Sequence, residues 1–206
     1  MVCNIFGGAE IGDYSGIPHA DGLIAAADSG YMHCVKLGLD KKIDVLIGDF
    51  DSIGCMPDNV PIITAAVRKN DTDLMLAIKW GFEHGCKEFH IYGCLGGRPG
   101  HTAASIQSLL YIQKHGGSGI LFGDTCMIGV IGCGTKEICD FGIYKHISFF
   151  SAGDVTEAEL SPEFSYGGNI TYTKDFPLGV SNEIINGHKG IITVKSGNLI
   201  AIWEKE

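Results

Sequence analysis

No two of the eight cysteines form a CxxC pair, and that absence argues against a zinc-site reading. Cys3, Cys34, Cys55, Cys86, Cys94, Cys126, Cys133 and Cys139 are scattered, mostly among apolar neighbours. A chain of 206 residues can bury a core without disulfides. They therefore read as reduced thiols, which implies a cytoplasmic protein. Residues 1–20 hold Glu10 and Asp13 and lack a basic leader before an apolar core, so no signal peptide is expected. Apolar runs such as Leu23 to Ala27 fall short of a membrane span. Basic residues are in deficit: 15 Lys and Arg against 24 Asp and Glu give a net charge of −9. That balance argues against nucleic-acid and anionic-membrane partners. An acidic protein still binds a polyphosphate where a divalent cation bridges the like charges.

Glycine is abundant, with 30 residues placed largely at the ends of apolar runs. Tight turns and close backbone approaches follow. Short apolar runs alternate with helical stretches through the first two thirds of the chain, the pattern of βαβ units. Strands are predicted at Val2 to Phe6, Leu23 to Ala27, Asp44 to Ile47, Pro61 to Ala65, Phe89 to Tyr92 and Ile120 to Phe122. Helices are predicted at Tyr31 to Leu37, Leu74 to His84 and Ala103 to His115; Leu74, Ala77, Ile78 and Phe82 form an apolar stripe on the second. The expected fold class is α/β: a mostly parallel sheet with flanking helices over residues 1–131. The pattern changes near Gly132-Cys133-Gly134, and β-prone runs follow at Ile147 to Phe150, Asn169 to Tyr172, Ile191 to Lys195 and Leu199 to Trp203. Residues 135–206 are thus expected to form a smaller all-β sandwich, with a hairpin around Ser196-Gly197-Asn198. A β unit this small buries its surface poorly alone, so it should lean on the first domain or on a second copy.

Four polar clusters fall at predicted strand ends, where open α/β sheets bind ligands. In Ile47-Gly48-Asp49-Phe50-Asp51-Ser52, two carboxylates two residues apart share a face and can converge on one cation. The alternative is a solvated polar turn. Lys69-Asn70-Asp71-Thr72-Asp73 opens a helix, where Asp71 or Thr72 suits the N-cap and Asp73 the first turn. Tyr92 to His101 runs from a strand through Gly96-Gly97-Arg98 into a helix; its backbone amides suit phosphate or adenine, and Arg98 can grip a phosphate. It matches neither a Walker loop nor the dinucleotide fingerprint. Ala27-Asp28-Ser29-Gly30 is the fourth cluster. Together they favour a crevice for a magnesium-bound nucleotide over four coincidental turns.

The ordered set AADSG, IGDFDS, KNDTD and GGRPGH, followed by PLGVSNE, resembles the thiamine pyrophosphokinase family and spans nearly the whole chain. The resemblance implies an α/β domain that binds ATP and a β-sandwich domain that completes a thiamine site, in a homodimer. Thiamine and ATP would be the substrates, with thiamine diphosphate and AMP as products. By position, Asp49, Asp51 and Asp73 match the family's Mg²⁺ ligands. Asp28 matches its acidic residue after the second strand, beside Ser29, and Arg98 follows Gly97 in the turn beside the nucleotide. Lys69, Asp71 and Thr72 lie in the matching KxDTD-like stretch, and His101 stands where it could contact the nucleotide or cap the helix. In the β domain, Ser181 and Asn182 would hydrogen-bond the aminopyrimidine, where a plain β-turn is the alternative. One departure stands out: the family's GGRxDH carries an aspartate where this chain has Gly100. Rival readings are a pyrophosphokinase for another hydroxymethyl acceptor, a non-catalytic thiamine or nucleotide sensor, and a phosphohydrolase.

Overall fold

The computed structural model describes residues 1–17, 21–48, 60–64, 71–139, 143–185 and 189–206. The chain divides into two units, Met1–Asp124 and Thr125–Glu206. The change in sequence pattern at Gly132 thus follows the division rather than marking it. Cys126–Ile131 forms a strand of the second unit although no pattern in the sequence set it apart.

In the first unit, strands β1 (Val2–Phe6), β2 (Leu23–Ala27), β3 (Val45–Gly48), β4 (Ile62–Thr64), β5 (Glu88–Tyr92) and β6 (Ser118–Phe122) lie in the order β6-β5-β1-β2-β3-β4. Every pair in that series is parallel. β1 and β2 are buried on both faces after their first residues, which is why they read as unbroken apolar runs. Among the described residues, three α-helices connect strands of this unit: α1 (Gly30–Lys36), α2 (Asp73–Glu83) and α3 (Pro99–Lys114). Leu74, Ala77, Ile78 and Gly81 turn the buried face of α2 inward. In α3, buried Ser105 and Ser108 donate back to the carbonyls of His101 and Ala104, 2.9 Å each, so their hydroxyls are satisfied inside the core.

The last residues of three neighbouring strands stack: Phe6 on Tyr92 with ring centroids 5.2 Å apart, and Tyr92 on Phe122 at 4.9 Å. This aromatic row lies at the carboxyl ends of β1, β5 and β6. Gly30 opens α1 directly against β1, and a Cβ there would overlap the carbonyl oxygen of Phe6.

The second unit is antiparallel throughout. Strands β7 (Cys126–Ile131), β9 (Tyr144–Ser151), β12 (Gly179–Asn182) and β14 (Leu199–Lys205) pair in the order β12-β9-β14-β7. Strands β8 (Gly134–Cys139), β10 (Val155–Leu160), β11 (Gly168–Thr173) and β13 (Lys189–Ser196) form a second sheet, β11-β10-β13-β8. Phe149 of the first sheet meets Tyr172 of the second at 6.4 Å and Phe164 at 6.0 Å, edge to face with the latter.

Two expectations need correction. Strand pairing over the chain is mixed rather than mostly parallel, because parallel ladders are confined to β1–β6, and helices are few. The Ser196-Gly197-Asn198 turn closes no hairpin. β13 pairs with β8 and β10, whereas β14 pairs with β7 and β9, so the turn is an arch between sheets. Turn residues fix the reversal; the buried alternate residues on both strands decide the partners, because each must face the core from its own sheet.

Gly30→Ala is expected to destabilise the protein by at least about 2 kcal/mol, since backbone oxygen cannot yield as a side chain does. Gly153→Ala, with open space at its Cβ, should stay within about 0.5 kcal/mol. Urea unfolding of the two variants measures the difference.

Candidate active site

Chain order and spatial order diverge once in the first unit. β1 to β4 build outward on one side, and β5 and β6 then add on the other side of β1. The gap outside the carboxyl ends of β1 and β5 is therefore the switch point, where open α/β sheets form a ligand crevice. Its walls are backbone. Gly7 donates to Tyr92 O and Ala9 to Gly93 O, both at 2.8 Å. A Cβ on Gly7 would overlap Cys94 Sγ, and one on Gly8 would overlap Ser29 Oγ. The sequence signal for this pair is Phe6-Gly7-Gly8 at the end of a predicted strand.

On one side of Gly8, Asp28 and Ser29 end β2. Asp28 has a positive φ of 49°, uncommon for a non-glycine residue and a mark of local constraint. Its N–H donates to Ile47 O at 2.7 Å, tying it to the end of β3. Gly48, which precedes Asp49, closes that strand beside Asp28: a Cβ there would lie 3.2 Å from Asp28 Cα. Asp49, Asp51 and Lys69 lie outside the described residues. Among the described residues, no group of three or more His, Cys, Asp or Glu is placed to hold a metal.

At the start of α2, Thr72 is the N-cap, its Oγ1 accepting from Met75 N at 3.2 Å. Asp71 is engaged elsewhere: both carboxylate oxygens lie 2.7 Å from Lys79 Nζ. That ion pair ties the segment before the helix to its second turn. Asp73 is the first helical residue and the acidic residue of the first turn.

On the far side of Gly7, Gly96 and Gly97 follow β5 with φ of 82° and 65°. Arg98 occupies the N-cap of α3, Pro99 the first helical position, and no side chain caps the helix. His101 makes no capping bond, so the capping alternative for it falls away. No acidic residue stands in the first turn. Gly96, Gly97 and Gly100 have nothing within 4 Å of an added Cβ. Packing therefore does not require these glycines, and the turn faces open space. An uncapped helix start beside an exposed arginine is an anion-binding arrangement.

Beneath the crevice, Tyr92 is buried, and its hydroxyl has no hydrogen-bond partner among the described residues. Burial pushes its pKa up to about 12. The segment after β1 is held by His33 on α1, whose Nε2 lies 2.8 Å from Ala9 O and whose Nδ1 lies 2.6 Å from Tyr14 Oη. The carbonyl fixes Nε2 as a donor, and in the neutral ring Nδ1 then accepts from the phenol. Burial lowers the pKa of His33, with Lys36 one turn on acting in the same direction and the bond to Ala9 opposing them. Neither His33 nor Tyr14 carried a motif in the sequence.

In the second unit, Ser181 has a positive φ of 56° in the edge strand β12, where pairing to β9 shifts register. Its N–H donates to Ser148 Oγ at 3.1 Å, and its side chain is exposed. Asn182 departs from expectation. It is buried, its Oδ1 accepts from Tyr166 N and Glu183 N at 3.0 and 2.9 Å, and its Nδ2 donates to Tyr166 O at 2.9 Å. That amide stitches β12 to the Tyr166 segment and is not presented to a ligand.

A parallel α/β unit with a switch point and an uncapped, arginine-flanked helix start defines an anion-binding class of α/β protein. The chain belongs to the thiamin pyrophosphokinase family, whose catalytic-domain model matches residues 17–120, half of its length. Among solved structures, thiamine pyrophosphokinase from Bacillus subtilis shares 26% identity over 100% of both chains with a TM-score of 0.90. The enzyme from Geobacillus thermodenitrificans shares 22% over 100% of this chain and 98% of its own, with a TM-score of 0.86. That from Candida albicans shares 15% over 100% and 89%, at 0.79. The last two attest the fold. No curated protein matches the chain in sequence.

Asn182→Ala should destabilise the protein by about 2–3 kcal/mol in thermal or urea unfolding, as expected when buried backbone groups lose their partners. The lowered pKa of His33 gives a pH dependence with a definite sign. Its contribution is full above the ordinary histidine value near 6.5 and is lost as pH falls through the depressed folded value. Between pH 8 and 5 the wild type should lose more stability than His33→Gln; parallel curves would exclude the coupling.

Proposed function

We propose that this member of the family transfers a pyrophosphoryl group from ATP to the hydroxyl of thiamine, giving thiamine diphosphate and AMP. The observation that carries the reading is the switch-point crevice, with the Gly96-Gly97-Arg98 turn and the bare start of α3 on one wall and Asp28 on the other. Phosphoryl transfer relies mainly on positioning and charge neutralisation, so a rigid polar pocket suffices without a strong base.

Asp49, Asp51 and Asp73 are the residues that would hold Mg²⁺, and Asp28 is the further acidic residue assigned to the site. Hard carboxylate oxygens suit that ion, and Thr72 rather than Asp73 serves the helix cap. Once bound, Mg²⁺ would neutralise charge on the triphosphate. Arg98, exposed at the N-cap of α3, is suited to hold a phosphate in bidentate fashion, with Lys69 as a second cation. Gly97, Ser29 and His101 border the nucleotide, and His101 is exposed on the first turn of α3. Asp71 and Thr72 act indirectly, holding the start of α2 through Lys79 and Met75. In the second unit Ser181 is the residue available to thiamine, because Asn182 is spent on the turn that presents it.

Exposed Phe176, Leu178 and Val180 surround the edge strand β12. Apolar side chains beside an unpaired strand edge favour cover by a second copy, hence a homodimer. A cytoplasmic setting agrees with the described cysteines, which are all free. No helix among the described residues is long and apolar enough to cross a membrane.

Incubated with ATP, Mg²⁺ and thiamine, the purified protein should release AMP and thiamine diphosphate in equal amounts. Tight thiamine binding without AMP would favour the sensor reading instead. Asp51→Asn should abolish AMP release, whereas His101→Ala should slow it only several-fold; equal, small losses would count against the ligand assignment. Gly100→Asp restores the family's carboxylate at a position with room for it, in a helix turn that favours negative charge by about 0.3–1 kcal/mol. Increased turnover is expected, and unchanged or lower turnover would show that the missing carboxylate does not limit this enzyme.

A further inference from the structure

The connection from β1 to β2 is longer in space than its task requires. β2 lies directly beside β1, yet the segment after Phe6 reaches the end of β6, two strands away on the other side. There the Asp124 carboxylate accepts from Gly12 N at 2.9 and 3.1 Å and from Asp13 N at 3.2 Å. On the opposite flank, His33 of α1 takes Ala9 O at 2.8 Å and Tyr14 Oη at 2.6 Å. Ile11, between these anchors, and Ile17, beyond Tyr14, pack on the apolar cluster that contains Phe6 and Tyr92. Ser15 N donates to Asp13 Oδ1 at 2.8 Å and Ile17 N to Tyr14 O at 3.2 Å, which closes the strap on itself. The strap thus crosses the carboxyl ends of β5 and β1, over the mouth of the crevice.

We infer that His33 and Asp124 are positioning residues of the nucleotide site, bracketing the Gly7–Ile17 strap from both flanks so that it forms a fixed wall of the crevice. The inference rests on the nucleotide reading of that crevice. Both brackets act on the strap and neither belongs to the acidic or glycine-rich clusters. A carboxylate held by two consecutive backbone amides is a directed, charge-assisted anchor. A buried imidazole with both nitrogens engaged by one segment fixes that segment's register. The first strap residues, Gly7 to Ala9, are the ones in contact with Ser29, Gly93 and Cys94. Slack in the strap is therefore transmitted directly to the crevice walls.

The test uses Tyr14→Phe, His33→Gln and Asp124→Asn in the full chain, each close in shape to the residue it replaces. Deuterium exchange across Ala9–Ile17 should quicken in all three while the sheet strands keep wild-type protection, which also shows that the fold is intact. The dissociation constant for ATP in magnesium buffer, measured by calorimetry, and KM for ATP should rise roughly three- to tenfold, the range commanded by one or two hydrogen bonds. KM for thiamine and kcat should stay within about twofold of wild type, a split that a general loss of structure would not produce. Unchanged exchange in the strap overturns the inference, as does faster exchange with unaltered ATP affinity, or a fall in kcat alone. Failure of the unaltered chain to bind ATP defeats the functional reading itself; normal ATP binding that all three changes leave untouched defeats only the bracket.

Discussion

The first unit depends on backbone meeting backbone at the carboxyl ends of its central strands. At Gly7, Gly30 and Gly93 an added methyl group would overlap a carbonyl oxygen of a neighbouring turn or strand. Strand ends that meet this closely leave main-chain amides and carbonyls, rather than side chains, to line the crevice. Asp28 follows from the same crowding: its positive φ and its bond to Ile47 O hold it between β2 and β3. The open glycines of the β5–α3 turn are the complement. At Gly96, Gly97 and Gly100 an added Cβ would meet nothing within 4 Å, so the turn opens to solvent.

Polar groups in this structure divide into those that fasten and those left to act. Thr72, Asp71, Asn182 and His33 are occupied with protein partners. Arg98, His101 and Ser181 are exposed beside turns, and the first two sit where a helix start favours anions. A sequence motif cannot separate the two groups, because capping, salt bridging and ligand binding draw on the same residue types. Family membership supplies the chemistry; the hydrogen bonds decide which members of a motif remain available for it.

Legibility in the sequence tracked the range of the interactions involved. β1 and β2 were predicted to the residue because strands buried on both faces leave unbroken apolar runs with sharp ends. The three helices were placed within a few residues, their starts marked by Gly30, Thr72 and Pro99. β10 carries a weak sequence signal because its outward residues are Val155, Glu157 and Glu159 and its inward ones Thr156, Ala158 and Leu160, an alternation that becomes clear only once the sheet is assembled. Pairing was the main loss. Nothing local says that β13 and β14 join different sheets, or that Asp124 reaches back to Gly12. Of the site, the Asp and Gly-rich clusters were visible as motifs. The strap and its brackets were not, because their partners are far apart in the chain and of ordinary type.

The arch at Ser196-Gly197-Asn198 has a kinetic consequence. Were β13 and β14 a hairpin, they could zip together early from a turn alone. Instead β13 finds β8, whose residues Gly134–Cys139 lie fifty to sixty positions upstream of their partners, and β14 finds β7, earlier still. Loop closure over such separations must come before any ladder bond rewards it. The second unit is thus a late and cooperative assembler. During synthesis β8 therefore has no ladder partner among the described strands until β13 emerges.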